Sequence, residues 1–285
     1  THRAGRNDDR VASRTTSRYG SNSSGFQPAV APLAVAGDLA DEWRSLEGRE
    51  WASWFVAGGT CDSDTATWLA DFDTVVSYLH DPDGVFERNL KNIKQLHYVS
   101  GEHKSSGKPM TESLAEPLKE LGVMQCDAHF QLEVTCEPLP WKGNWLAVHP
   151  GSGSERKNWA EENWRKLFKR INEETNWNIL LIGGEAEVGR IDRLAADLSS
   201  TRVVKADGWP LVRLAGALAN CSLFAGVDSG IRQLAEVVGL SGVAIWRDRN
   251  VFEWGPRDER WEILHGLEST SVCVMFTALM RSMKA

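Results

Sequence analysis

The second half of the chain alternates short unbroken apolar runs with stretches whose apolar residues recur every three or four positions. Leu146-Ala147-Val148, Ile179 to Ile182, Val203-Val204, Leu223 to Ala225 and Val243 to Trp246 are the runs. Runs of this length predict strands of a sheet buried on both faces. Between them, Trp164, Leu167, Phe168 and Ile171 fall at helical spacing. Val188, Ile191, Leu194, Ala195 and Leu198 do the same, as do Leu211, Leu214, Ala215 and Leu218, and then Ile231, Leu234, Ala235 and Val238. Strand, loop and helix in repetition predict a doubly wound α/β domain.

The first half carries a weaker version of the same pattern. Val30 to Val35 predicts a short helix ended by Gly37, and Glu42 to Leu46 a strand. Trp51 to Ala57 reads as helix ending at Gly58-Gly59, and Thr65 to Ala70 as a further helical turn. Thr74 to Leu79 is the clearest strand. Asp81-Pro82-Asp83-Gly84 follows it, and then a helix with Val85, Phe86, Leu90 and Ile93. Gln95 to Val99 predicts a strand and Glu112 to Leu121 a helix. Residues 1–25 break the pattern: Arg3, Arg6, Arg10, Arg14 and Arg18 recur among Ser, Thr, Gly and Asn with no apolar face to bury, so a disordered tail is expected. The expected organisation is this tail, a domain over 26–140 and a second domain over 141–285.

Composition narrows the function. The 285 residues suit two domains, and 42% apolar content supplies their cores. A net charge of −7 argues against a nucleic-acid partner. The apolar run Val272 to Met280 is too short to span a bilayer, so no transmembrane segment and a cytoplasmic location are expected. Cys61, Cys126, Cys136, Cys221 and Cys273 form no CxxC pair, which suits a reducing compartment. The seven histidines have no metal-ligand spacing, so neither a metal nor a cofactor is expected.

The chemistry concentrates on three loops. After the strand at 146–148 comes His149-Pro150-Gly151-Ser152-Gly153-Ser154, then Glu155-Arg156-Lys157, and then a helix with Asn158 and Glu161 in capping-box spacing. Glycine admits backbone N–H groups close to a ligand, a helix N-terminus adds partial positive charge, and Lys157 adds a full one. Many loops of this composition bind nothing. The loop is neither a P-loop, which ends in Gly-Lys-Ser/Thr, nor a dinucleotide fingerprint, since Arg156 stands where the third glycine belongs. In a doubly wound sheet, the loops 149–157, 183–185 and 226–230 meet at the carboxyl ends of the strands. The second brings Glu185, placed to take ribose hydroxyls or simply solvated. The third brings Asp228 and Ser229 at another helix N-terminus, where both also read as caps. In the first half, Asp81 and Asp83 follow a strand end and are placed for an acceptor-side role, or for a turn and helix cap.

HPGSGSERKNWAEENWRKL, LLIGGEAE and AGVDSGIRQLAEVVGL together resemble glycosyltransferase family 9, the ADP-heptose:lipopolysaccharide heptosyltransferases and their relatives. The resemblance is specific over about 141–265 and looser over 26–140, where VVSYLHDPDGVFERNL resembles one bacterial branch. It implies a GT-B architecture of two Rossmann-like domains facing across a cleft, the N-terminal one incomplete. It implies metal-independent, inverting transfer from an ADP-sugar to a lipopolysaccharide or other cell-envelope saccharide acceptor, at or near the inner face of the bacterial inner membrane. Ser152, Gly153 and Lys157 would hold the donor phosphates, Glu185 the ribose, and Asp228, Ser229 and Gly230 the diphosphate and sugar. Three departures stand out. Gln233 replaces a usual histidine, Arg247 and Arg249 flank Asp248 where Gly and Thr are usual, and residues 1–25 lack the Gly-Asp turn that supplies the base. Gly37-Asp38 has the letters but follows a helix, so no catalytic residue is assigned. The alternative is a degenerate or truncated homologue that binds a nucleotide-sugar without turnover.

Overall fold

The structure, a computed structural model, describes residues 30–283 except positions 61, 102–106, 126–129, 185–186, 188, 197, 200 and 248–249. The expectations for the 1–25 tail, Glu185, Val188, Asp248 and Arg249 therefore lie outside the described residues.

Six parallel strands form the larger sheet: β3 (Trp145–His149), β4 (Asn178–Gly183), β5 (Val203–Asp207), β6 (Leu223–Val227), β7 (Gly242–Trp246) and β8 (Trp261–His265). Their spatial order is β5-β4-β3-β6-β7-β8. The unbroken apolar runs are explained by burial on both sides. Leu146, Val148, Ile179, Leu181, Leu223 and Ala225 face one core with Trp164, Leu167, Phe168 and Ile171 of α6 (Glu161–Glu174). Ile191 of α7 (Arg190–Ala195) and Met275 and Leu279 of α11 (Val272–Ser282) complete that core. Ala147, Leu180, Ile182 and Phe224 face the other, with Leu214 and Leu218 of α8 (Leu211–Leu218) and Leu234 and Ala235 of α9 (Gly230–Val237). Each strand thus contributes alternate residues to opposite faces.

The smaller sheet pairs β1 (Thr74–Ser77) with β2 (His97–Ser100) in parallel. It packs with α2 (Arg49–Ala52), α3 (Ser63–Ala70) and α4 (Val85–Lys91) around Trp51, Trp54, Trp68, Phe86 and Leu90. The strand expected over Glu42–Leu46 is absent; the segment makes one isolated bridge, at Ser45. Its polar side chains wrap Trp68 instead. Glu42 Oε1 accepts from the Trp68 indole N–H at 2.5 Å, and the Arg44 guanidinium lies 4.4 Å from the ring centroid. Two stretches from the first half pack on the larger sheet. Leu33 of α1 (Ala31–Ala36) and Leu132 join the core built by α8 and α9, and the Leu132 N–H donates to Val237 O at 2.6 Å. Between these anchor points lie α5 (Met110–Ala115), followed by a 3-10 turn, and the further short elements of the first half. The remaining helix, α10 (Val251–Trp254), links β7 to β8.

The capping box expected at Asn158 does not form. Helix α6 begins at Glu161 behind Ala160, with no side-chain cap. Residues 155–157 make a single 3-10 turn and Asn158 is extended. Trp159 is buried, its indole N–H donating to Thr270 O at 3.1 Å, and this anchor delays the start of the helix.

Candidate functional site

The strand order reverses between β3 and β6, which are neighbours in space although two strands and three crossovers separate them in sequence. At such a reversal the following loops diverge to opposite faces and leave a crevice at the carboxyl edge. Here the β3 loop (149–157) and the β6–α9 junction (227–230) flank that crevice.

Side chains tie the two loops together. Lys157 Nζ sits 2.6 Å from Asp228 Oδ2, and Asp228 is buried. His149, also buried, places Nδ1 3.0 Å from Ser229 Oγ. Ser229 caps α9, its oxygen accepting the Arg232 N–H at 3.3 Å, and Gly230 opens the helix. Arg247, reaching over from the end of β7, donates to Arg156 O at 3.2 Å. The capping role expected of Ser229 is thus visible, whereas Asp228, also expected as a cap, is the partner of Lys157.

The glycine loop has an internal scaffold. The Ser152 hydroxyl lies 2.9 Å from Ser154 O and 3.1 Å from Asn158 Oδ1, and it accepts the Ser154 N–H at 3.3 Å. Ser152 therefore shapes the loop, while Gly153 stands exposed at its tip. Gly151 is required by a close approach: a Cβ there would lie 2.2 Å from Glu187 Oε1 and 2.7 Å from its Cγ.

Glu187 is the acidic residue the structure adds to the site. The sequence points to Glu185 because it follows the strand directly. In the folded chain Glu187 comes back to Gly184: its N–H donates to Gly184 O at 3.0 Å, and its Oε2 accepts the Gly184 N–H at 3.0 Å and lies 3.9 Å from His149 Nε2. Its other oxygen, Oε1, is buried without a hydrogen-bond partner among the described residues. Burial pushes the Glu187 carboxyl up, but the His149 imidazole, the Gly184 N–H and Arg190 outweigh burial and hold it below the ordinary glutamate range. A depressed folded value means that its contribution to stability is present above the ordinary value, about 4.3, and is lost as pH falls through the lower one. Glu187→Gln is therefore expected to be less stable than wild type near neutral pH, with the gap closing below about pH 4. Denaturant unfolding across that range checks this; a gap of constant size would show that the charge of Glu187 does not hold the loops.

One turn along α9, Gln233 lines a cavity of about 280 Å³ shared with Met110, Phe130, Gln131, Trp254 and Arg257. Arg232 anchors the helix behind it. It is buried, pairs with Glu236, donates to Trp254 O at 2.9 Å, and lies 5.6 and 5.7 Å from the Trp246 and Trp261 ring centroids. Asp81 is engaged elsewhere: its two carboxylate oxygens accept the N–H groups of Phe86 and Glu87 at 3.2 and 3.0 Å, at the start of α4. Asp83 is exposed in the preceding turn. Among the described residues, no group of three or more His, Cys, Asp or Glu could hold a metal, and no helix is long and apolar enough to cross a membrane.

Comparison with known families adds to this geometry. The sequence model of glycosyltransferase family 9 (heptosyltransferase) matches residues 90–283. The chain belongs to glycosyltransferase family 9. A search of curated protein sequences finds no match. Among solved structures, a family 9 glycosyltransferase from Veillonella parvula superposes with a TM-score of 0.73 at 15% identity, over 90% of this chain and 87% of that one. The E. coli ADP-heptose lipopolysaccharide heptosyltransferase II superposes with a TM-score of 0.72 at 12% identity, over 90% and 88%. The E. coli heptosyltransferase WaaC with ADP gives 0.67 at 14% identity, over the same shares. The α/β, GT-B architecture expected from the sequence is the fold of these family 9 proteins. Membership places the chain among the heptosyltransferase-like glycosyltransferases.

Proposed function

We propose that this family 9 chain binds an ADP-sugar at the crevice between β3 and β6 and transfers the sugar, with inversion and without a metal, to a cell-envelope saccharide or lipid-linked acceptor. The observation that carries the reading is the Lys157–Asp228 contact of 2.6 Å, which holds a cation between a glycine loop and the N-terminus of α9. Transfer from an ADP-sugar releases a nucleoside diphosphate, so negative charge grows on phosphate oxygens as the bond breaks. Fixed N–H groups and a pre-oriented ammonium stabilise that charge without reorganising. An ammonium has three donors, so Lys157 can keep Asp228 and still meet a phosphate. The proposed donor set is Ser152, Gly153, Lys157, Asp228, Ser229 and Gly230. Ser152 and Asp228 act in it by holding the loop and the lysine. The cavity beside Gln233 offers amide, guanidinium and aromatic groups, a chemistry suited to a saccharide.

The test is calorimetric titration with ADP, beside an assay of ADP release from ADP-heptose with a saccharide acceptor. Binding with acceptor-dependent release supports the reading, and absence of ADP binding overturns it. A second reading, binding without turnover, is favoured by two features. Asp81 spends its carboxylate on the N–H groups of α4, and Gln233, which cannot carry a proton as histidine does, stands at the usual histidine position. ADP binding with no release under any acceptor tried would select it.

A further inference from the structure

His149 belongs to β3, yet it touches both other loops of the site. Nδ1 lies 3.0 Å from Ser229 Oγ, and Nε2 lies 3.9 Å from Glu187 Oε2. The Glu187 carboxylate is held in its charged form, and a carboxylate only accepts hydrogen bonds. At 3.9 Å it lies beyond hydrogen-bond reach of Nε2, but its negative charge favours the tautomer with the proton on Nε2, leaving Nδ1 to accept from Ser229. In that arrangement the single proton of Ser229 is spent on His149, while its oxygen takes the Arg232 N–H at 3.3 Å. Ser229 then stands at the N-terminus of α9 with no proton to give an anion. Among the described residues, the other charges around this cluster include Lys157 and Asp228, paired at 2.6 Å, and Arg190, which bears on Glu187 and also donates to Glu155 Oε1 at 2.8 Å.

We infer that a phosphate group entering the crevice draws one proton from solvent onto His149 Nδ1 and turns the Ser229 proton from His149 toward the phosphate. The balance is closed. One proton leaves the buffer, Nδ1 gains it and donates to Ser229 Oγ, and the Ser229 O–H donates to a phosphate oxygen. The imidazolium so formed lies between the Glu187 carboxylate and the phosphate, so its charge is matched on both sides. His149 is thus a positioning residue that acts through Ser229. The inference rests on the nucleotide-diphosphate reading above and extends it to the proton stoichiometry of binding.

The proton number is read by titrating the full chain with ADP in buffers of differing ionisation enthalpy, near pH 8. Phosphate monoesters have their second ionisation at about pH 6, so the ligand carries no proton to release there. Wild type is expected to take up protons on binding and His149→Gln none, with affinity lower on the order of tenfold from the lost charge-assisted contact. Ser229→Ala, which leaves the histidine no hydroxyl to turn, is expected to take up markedly less than wild type. If the His149 variant does not fold, the Ser229 variant decides alone. No uptake by wild type, or undiminished uptake in either folded variant, overturns the inference while nucleotide binding stands. Absence of ADP binding by wild type sinks both.

Discussion

Lys157→Ala is expected to lower the affinity for ADP by about thirtyfold or more, the loss typical when one member of a close charge pair at a binding site is truncated, ~2–5 kcal/mol. Two effects add. The phosphates lose the cation placed between the β3 loop and α9. Asp228, buried and matched to Lys157 at 2.6 Å, is also left as an unpaired carboxylate facing an anionic ligand. The second effect makes a specific demand on the double variant. Adding Asp228→Asn to Lys157→Ala should recover part of the lost affinity, because the repulsive charge is gone while the lysine is still missing. Calorimetric titration of both variants with ADP provides the check. A double variant that binds no better than the single one would show that Asp228 does not face the ligand. Unchanged affinity in the single variant would remove Lys157 from the site.

Gly151→Ala is expected to cost about 1–3 kcal/mol of folding stability, the usual range for overpacking a tight site, and to impair ADP binding as well. The added methyl would stand 2.2 Å from Glu187 Oε1, with Cγ and Cδ at 2.7 and 2.8 Å. The glutamate must then leave its place, and it takes with it the acceptor for the Gly184 N–H and the charge beside His149. Denaturant unfolding and ADP titration measure the two losses. The further substitution Glu187→Ala should restore stability to the Gly151 variant relative to the sum of the single effects, because it removes the atoms that clash. Additive losses would place the strain elsewhere.

How far the sequence was readable depended on what each segment packs against. β3, β4, β6 and β7 are buried on both faces, so their apolar runs were unbroken and their places could be read directly. β8 is one of the two edge strands of the same sheet, only partly buried and carrying Glu262, and no run marks it. The start of α6 lies later than its capping pattern predicts because Trp159 is pinned to Thr270 O, a contact 111 residues away that no local pattern encodes. Glu42 to Leu46 reads as a strand, but its Glu42 and Arg44 side chains serve Trp68. Within the site, Lys157, Asp228 and Ser229 were visible as residue types that anion chemistry needs at the ends of predicted elements. Glu187 was not, because its role depends on its hydrogen bonds back to Gly184. His149 was visible in the loop, but only its distances to Ser229 and Glu187 give it a task.

The way the first half is moored to the larger sheet has a mechanical consequence. The chain leaves that sheet after Leu33 and comes back to it at Leu132, each fastened in the core beneath α8 and α9. The intervening lobe is therefore hung on two straps, one at each end of its chain. A body on one strap can pivot in every direction; on two it keeps chiefly the rotation about the line joining them. Whatever opening and closing this lobe performs over α9 is accordingly that of a door on two hinges, with its direction set by where Leu33 and Leu132 are fixed.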